Sequence, residues 1–417
     1  MQTIPNHQSN LATWLDHLLS IHPTEIDMGL GRVARVANAM ELTDLGKARI
    51  VTVGGTNGKG TTCAMIEQIM TQAGWKVGVY SSPHMLKYNE RIRVAGIDAS
   101  DRSLIEAFCA IDKARGEISL TFFEYATLAA LVIFKQSALD LVLLEVGLGG
   151  RLDATNIVDA DMSVVTSVDI DHQEYLGDTR ELVGREKAGI FRSGCPAIVG
   201  EPDLPTSIVE VAQQLDADLL AVGDAFDYVL QVGSWDFKGA ILSLSGLPIP
   251  QLPLPNAATA LAVIEQLLPS ISEQAIHRGL TLSKLTGRLE QVSQRPLTLV
   301  DVAHNPHAAR YLKQRLADYD DRRIVALCGM LKDKDCQAVI TTLDGIIDTW
   351  YFTDLHCERS AKAAHLISCL PEGSTGYPFE SIEQAYQALA QNICDDDVVI
   401  VFGSFYTVSE FKNLNLG

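Results

Sequence analysis

Short runs of consecutive apolar residues recur through the first part of the chain, IVTV (50–53), KVGVY (76–80), LDLVLLEVG (139–147) and MSVVTSV (162–168), with helical patterns between them. A strand with one wet face alternates apolar and polar residues, whereas a strand apolar throughout must be covered on both faces. Such strands alternating with helices form a mostly parallel sheet sandwiched by those helices. Two short helical patterns, at 11–20 and 30–42, precede the series, and from about 196 to 250 the strands shorten, marking the far edge of a first domain. After LTGRLEQVSQRP a second series opens, with apolar runs in LTLVDVAHNPHAARYL, RRIVALCGML, DTWYFTDL and DVVIVFGSF. The expected organisation is an α/β domain over 1–287, a linker at 288–296 and a smaller α/β domain over 297–417, which suits a length of 417 residues.

With 52 acidic and 33 basic residues the formal charge is −19, which repels nucleic acid and anionic lipid. An anionic substrate must therefore be caught by local features. Eight scattered cysteines without a C-x-x-C pair fit reduced thiols, and neither a disulfide framework nor a zinc site. The N-terminus lacks a basic start and an apolar core, and LAALVIF (128–134) falls well short of a membrane span. A cytoplasmic monomer with no membrane or nucleic-acid partner is the expectation.

The first apolar strand runs straight into GGTNGKGTT (54–62). This is near the Walker A pattern without matching it, since Gly60 separates Lys59 from Thr61. The physical logic survives the shift: a strand, a glycine turn and a helix start gather backbone N–H groups around an anion, with Lys59 as a point charge. The plain alternative is a glycine-rich connection that only packs. Ser82, Glu145, Asp171 and His172 stand at the ends of neighbouring strands, where an open parallel sheet faces its ligand crevice, and a hydroxyl, a carboxylate and an imidazole there suit Mg²⁺ beside a triphosphate. A lone histidine after a strand is equally a capped or core residue. Lys187, in GREKAGIF, reads by itself as a surface charge with its stem laid on the core. At the junction DVAHNPHAA, Asn305 before Pro306 reads as a helix cap, and His304 and His307 stay open between structural and functional roles.

Taken in order, GTNGKGTT, YSSPH, EVGLGGRLDATN, DH followed by LG, GREKAGIFR, PNAATA and DVAHNPHAA resemble the folylpolyglutamate synthase family of the Mur ligase superfamily over nearly the whole chain. DMGLGR (27–32) and TFFEYAT (121–127) further resemble its bacterial bifunctional members, which pair dihydrofolate synthase with folylpolyglutamate synthase activity. The resemblance implies a P-loop, Mur-ligase-like central domain with a mostly parallel sheet and a smaller Rossmann-like C-terminal domain. It also implies an ATP-dependent ligase that adds L-glutamate to 7,8-dihydropteroate and to reduced folates through an acyl phosphate.

Carried across by position, the resemblance assigns ATP to Thr56, Asn57, Gly58, Lys59, Gly60 and Thr61, with Asn256, Arg288 and Asp301 contacting the nucleotide from the interdomain side. Magnesium, as two ions, falls to Ser82, Glu145, His172 and Lys187, the last as a carbamate. The pterin pocket falls to Asp27, Met28, Gly29 and Leu30, to Thr121, Phe122, Phe123 and Glu124, and to Leu152, Asp153 and Ala154. His304 and Ser404 are placed near glutamate or the γ-phosphate, with Lys59, Lys187 and His304 as the catalytic set. One departure is GRLEQV, where relatives often carry an aromatic after the arginine.

A monofunctional folylpolyglutamate synthase is the nearest alternative. A Mur ligase of cell-wall synthesis would need a further N-terminal domain, and 53 residues precede Gly54. A GTP-dependent switch would show N-K-x-D, and no Asn here is followed by Lys.

Overall fold

The computed structural model describes residues 4–24 and 26–414. It divides into two compact units, Met1–Ser283 and Lys284–Gly417.

In the first unit eight strands form one sheet: β1 (Arg49–Gly54), β2 (Val77–Tyr80), β3 (Ile92–Val94), β4 (Ile97–Asp98), β5 (Leu141–Glu145), β6 (Met162–Val165), β7 (Pro196–Val199) and β8 (Asp218–Ala221), in the order β4-β3-β2-β5-β1-β6-β7-β8. The six strands from β2 to β8 pair parallel, and only β3 and β4 at one edge run antiparallel. β1 and β5 are buried on both faces, as their unbroken apolar runs require. On one face Ile50, Val142 and Leu144 join a core with Trp14, Phe108 and Tyr125 from the helices Leu11–Ser20, Asp101–Arg115 and Phe122–Lys135. The helix Lys59–Gln72 packs against Leu254–Leu267 and Glu273–Leu282.

Register places the site. Val53 pairs with Glu145, and Gly54 with Val165, so the carboxyl ends of β5, β1 and β6 finish level. β2 runs parallel beside β5, its Tyr80 opposite Leu144. The glycine loop, Glu145 and the segment leading to His172 therefore leave one edge of the sheet, where crevices form in open α/β folds.

Several boundaries differ from expectation. The helical pattern at 30–42 ends at Ala39, with Met40 turning the chain out. Beyond β8, the short strands expected at the far edge of the first domain are β9 (Asp227–Gln231), β10 (Ser234–Lys238) and β11 (Ser243–Leu247), which form a separate antiparallel sheet.

The second unit has six strands, β12 (Glu290–Gln294), β13 (Leu297–Asp301), β14 (Ile324–Cys328), β15 (Thr349–Thr353), β16 (Gly376–Phe379) and β17 (Val398–Phe402), ordered β12-β13-β17-β14-β15-β16. All pair parallel except β12. The segment 288–296, expected as a linker, instead holds this antiparallel edge strand. Its polar sequence EQVSQ hid it, because an exposed edge needs no apolar run. β16 was hidden by Pro378, which edge strands tolerate.

Gly279 sits where the helix Glu273–Leu282 meets the helix Lys59–Gln72. A Cβ there would lie 2.5 Å from the Ile69 Cα, a backbone atom that cannot step aside. Gly279→Ala is expected to cost about 1–3 kcal/mol, seen as a lower urea midpoint at unchanged slope.

Candidate active site

The glycine loop is held from several sides. Gly58 caps the helix Lys59–Gln72 at φ +87°, and a Cβ there would lie 2.5 Å from Asn256 Oδ1, so both backbone and space demand glycine. Asn256 Nδ2 donates to Thr61 Oγ1 at 2.6 Å, and Thr61 Oγ1 donates to Gly58 O at 2.8 Å. Thr56 N–H donates to Ser167 O at 2.9 Å, Thr56 Oγ1 bridges the carbonyl and N–H of Asp169, and Asn57 N–H donates to Ser167 Oγ. Lys59 Nζ turns back to Gly55 O at 3.0 Å, laying its charge across the loop. Gly60 is in the first helical turn. The chain after β6 thus fixes the loop's shape before any anion arrives, the condition for an electrostatic cradle that need not reorganise.

Glu145 ends β5 in a buried position, and its Oε2 accepts the Ser82 N–H at 3.3 Å. The field of Glu145 and that of Lys59 both reach Cys63, whose thiol is pushed up by burial first and Glu145 second. Lys187, on the helix Arg180–Ala188, is 3% exposed. Burial, reinforced by the nearby charge of Lys59 and opposed by Asp171, brings its amine down to about 7. This overturns the surface reading of Lys187. His172 adopts φ +50° and is exposed, with Nε2 4.0 Å from Asp171 Oδ2.

Among the described residues no three His, Cys, Asp or Glu side chains form a metal-holding cluster. The donors present still suit a hard cation of the magnesium kind, which takes one or two carboxylates and completes its shell with water and substrate phosphates. Glu145 supplies the buried carboxylate beside Ser82, next to a loop shaped for phosphate.

The segments 27–30 and 121–124, expected to seat a pterin, come together through a residue the sequence reading left unassigned. Arg32 Nη1 lies 2.7 Å from Asp27 Oδ2, and its Nη2 donates to Asp27 O at 2.9 Å and to Glu124 Oε1 at 3.2 Å. One guanidinium therefore ties 27–30 to 121–124, and its planar fork is what allows the bridge. The signal was present in DMGLGR, whose closing arginine faces a capping box at Thr121 and Glu124. Phe123 packs on Gly147, and Met28 approaches Gly149. Asp153 is buried and accepts N–H groups from Gly147, Leu148 and Thr155; its carboxyl is pushed up by burial, against those bonds. Leu152 is half-buried, and Ala154 belongs to the core. A Cβ on Gly150 would meet the carbonyls of Glu186 and Lys187 at 2.8 and 2.9 Å, so the turn after β5 seats directly on the helix end that carries Lys187.

In the second unit, Asp301 ends β13 and accepts Leu289 N–H and Ala303 N–H, both at 2.8 Å. Burial pushes its carboxyl up, with Arg288 as the main opposing charge. Arg288 lies 5.3 Å over the Phe405 ring. His304 Nδ1 donates to Val302 O at 2.8 Å, which leaves Nε2 as the acceptor in the neutral ring. Asn305 caps the helix Pro306–Leu316, as expected. Ser404 caps Phe405–Asn413 and shares a 2.7 Å contact with Thr407 Oγ1, so its buried hydroxyl already serves the helix. His307 stands in the first turn after Asn305.

Comparisons with known proteins agree across the chain. Residues 53–199 match the Mur ligase middle domain and 287–405 the Mur ligase glutamate ligase domain. The chain is 48% identical to the dihydrofolate synthase/folylpolyglutamate synthase of Escherichia coli K12, over 97% of this chain and 95% of that one. It superposes on E. coli FolC in complex with DHPP and ADP with a TM-score of 0.95, at 47% identity and 98% coverage of both chains. A bifunctional folylpolyglutamate synthase/dihydrofolate synthase with Mn, AMPPNP and L-glutamate bound gives 0.92, at 46% identity and 98% coverage of both.

Lys59→Ala deletes the loop's charge without touching the core. It is expected to lose about 3 to 4 kcal/mol of transition-state stabilisation, roughly a hundredfold to a thousandfold in kcat, at unchanged melting temperature. Steady-state phosphate release checks the rate.

Proposed function

Because the chain belongs to the dihydrofolate synthase/folylpolyglutamate synthase family of Mur ligases, we propose a division of labour among its residues for joining L-glutamate to two acceptors, 7,8-dihydropteroate and the γ-carboxyl of reduced folates. The chain is an ATP-dependent carbon–nitrogen ligase. The observation that carries the two-acceptor reading is the single loop leaving Glu145. It runs from the phosphate side of the sheet into Asp153, beside segments 27–30 and 121–124 that Arg32 holds together.

The acceptor carboxylate attacks the γ-phosphorus of ATP, and ADP leaves, giving an acyl phosphate. The amine of glutamate then adds to the activated carbonyl; the tetrahedral intermediate collapses with loss of phosphate, and the amine proton passes to solvent. Backbone N–H groups of Thr56 to Thr61 and the Lys59 ammonium hold the phosphates, with Asn256 bracing the loop and Arg288 and Asp301 contacting nucleotide. Ser82, Glu145 and His172 would hold divalent cations, which when bound would offset charge on the transferring phosphoryl group. Asp27 to Leu30, Thr121 to Glu124, and Leu152 to Ala154 seat the pterin. His304 and Ser404 stand near glutamate or the γ-phosphate. The enzyme works in the cytoplasm as a monomer.

Phosphate release should depend on glutamate and occur with either dihydropteroate or tetrahydrofolate. Turnover with the folate alone would make the enzyme monofunctional and overturn the two-acceptor reading.

Lys187 acts as a carbamate. An amine brought to about 7 is substantially neutral at physiological pH, and a neutral amine adds to CO₂ with loss of a proton. The product carries a negative charge where Lys59 and a bound cation are positive. Isotopically labelled bicarbonate should give a carbamate signal in wild type and none in Lys187→Ala. The variant should lose most activity and regain part of it with added short-chain carboxylic acids. An active wild-type enzyme without that signal would end the idea.

A further inference from the structure

Arg91 closes the short turn Tyr88–Arg91 that leads into β3, and only 8% of its surface is exposed. Its Nε–H donates to His84 Nδ1 at 2.8 Å. The guanidinium carbon lies 5.6 Å from the centroid of Tyr88 and 5.4 Å from that of Phe122, two rings that meet edge to face. Among the described residues no carboxylate pairs with it. The other deeply seated guanidiniums differ, Arg93 pairing with Glu67 and Arg115 with Asp112. Burying a charge without a counter-ion is costly, and aromatic faces offset only part of that cost. A second observation points the same way: the Tyr88 hydroxyl is buried without a hydrogen-bond partner. A planar donor fork with N–H groups to spare matches a carboxylate, and the unanswered Tyr88 hydroxyl is a further donor on the ring that the guanidinium covers.

We propose that Arg91 and Tyr88 form a subsite for the α-carboxylate of the terminal glutamyl residue of a folate acceptor. The inference rests on the ligase reading above and names what separates its two acceptors. Phe122, against which Arg91 lies, belongs to the segment that seats the acceptor ring. His84, which Arg91 grips, stands two residues after Ser82 on the phosphate side. A folate with its ring in the first place and its reacting γ-carboxyl in the second carries its α-carboxylate between them. Dihydropteroate has one carboxylate, the reacting one, and leaves the subsite unused.

The test compares three acceptors on the intact wild-type enzyme: dihydropteroate, a reduced folate, and the same folate with γ-aminobutyrate in place of its glutamate, which keeps the reacting carboxyl and lacks the α-carboxylate. The analogue should show a KM on the order of tenfold to a hundredfold above that of the folate, the worth of a charged hydrogen-bonded pair. Arg91→Gln should raise the folate KM to the analogue's level, leave the analogue and dihydropteroate within about threefold, and leave the KM values of ATP and L-glutamate unchanged. Tyr88→Phe, which removes one oxygen, should shift the folate KM severalfold in the same direction. Equal use of folate and analogue by wild type would overturn the proposal, and this comparison stands whether or not Arg91→Gln folds. So would an equal loss with both natural acceptors, or a rise in the KM for L-glutamate. Wild-type enzyme inert with every acceptor would count against the ligase reading itself and take this inference with it.

Discussion

Two lysines from distant parts of one unit share a buried electrostatic field, and much of the site follows from that. Lys59 and Lys187 raise each other's cost of being charged, and Asp171 offsets only part of the burden at Lys187. A fold that keeps both must bring in negative charge. The glycine loop does so by being shaped for phosphate, and Glu145 by ending β5 level with it. The formal charge of −19 makes this local concentration of positive groups the more telling, since the rest of the surface discourages anions.

The turn after β5 is organised by close backbone approach. Gly150 lets the turn after β5 rest on the carbonyls of Glu186 and Lys187, and Arg151 continues the contact through its 2.8 Å ion pair with Glu186. Asp153 then gathers three backbone N–H groups, so the turn's shape depends on one carboxylate. The turn after β5 and the helix bearing Lys187 are thus packed directly on one another.

What was legible in the sequence follows from how each residue is stabilised. The parallel core strands could be read because burial on both faces leaves an unbroken apolar run, as in LVLLE. The α/β class and the ligase chemistry were legible for the same reason and from the ordered motifs. β12 and β16 were not, because half-exposed edge strands carry no such run, and EQVSQ resembles any polar connector; the strand-like stretch before 250 was legible, but not that β9 to β11 make a sheet of their own. Lys187 shows the limit most clearly. Its letter and helical spacing suit a surface position, yet it is buried, with the turn after β5 seated on the end of its helix and the charge of Lys59 nearby, neither of which the local sequence announces. Arg32 was in view but without a partner, since Glu124 is adjacent only in three dimensions.

The central position of β1 has a consequence for how the chain comes into being. β1 lies between β5 and β6, so Val53 must wait for Glu145 and Val51 for Met162 before either side of the strand is paired. The glycine loop waits longer still, because Asn256 reaches Thr61 across 195 positions. During synthesis the phosphate loop therefore emerges from the ribosome long before the residues that finish it. Parallel pairings of such long range form slowly. A nascent chain spends that interval with an apolar central strand uncovered, open to wrong partners and to chaperones, and ATP cannot rescue it, since no binding loop yet exists for the nucleotide to stabilise.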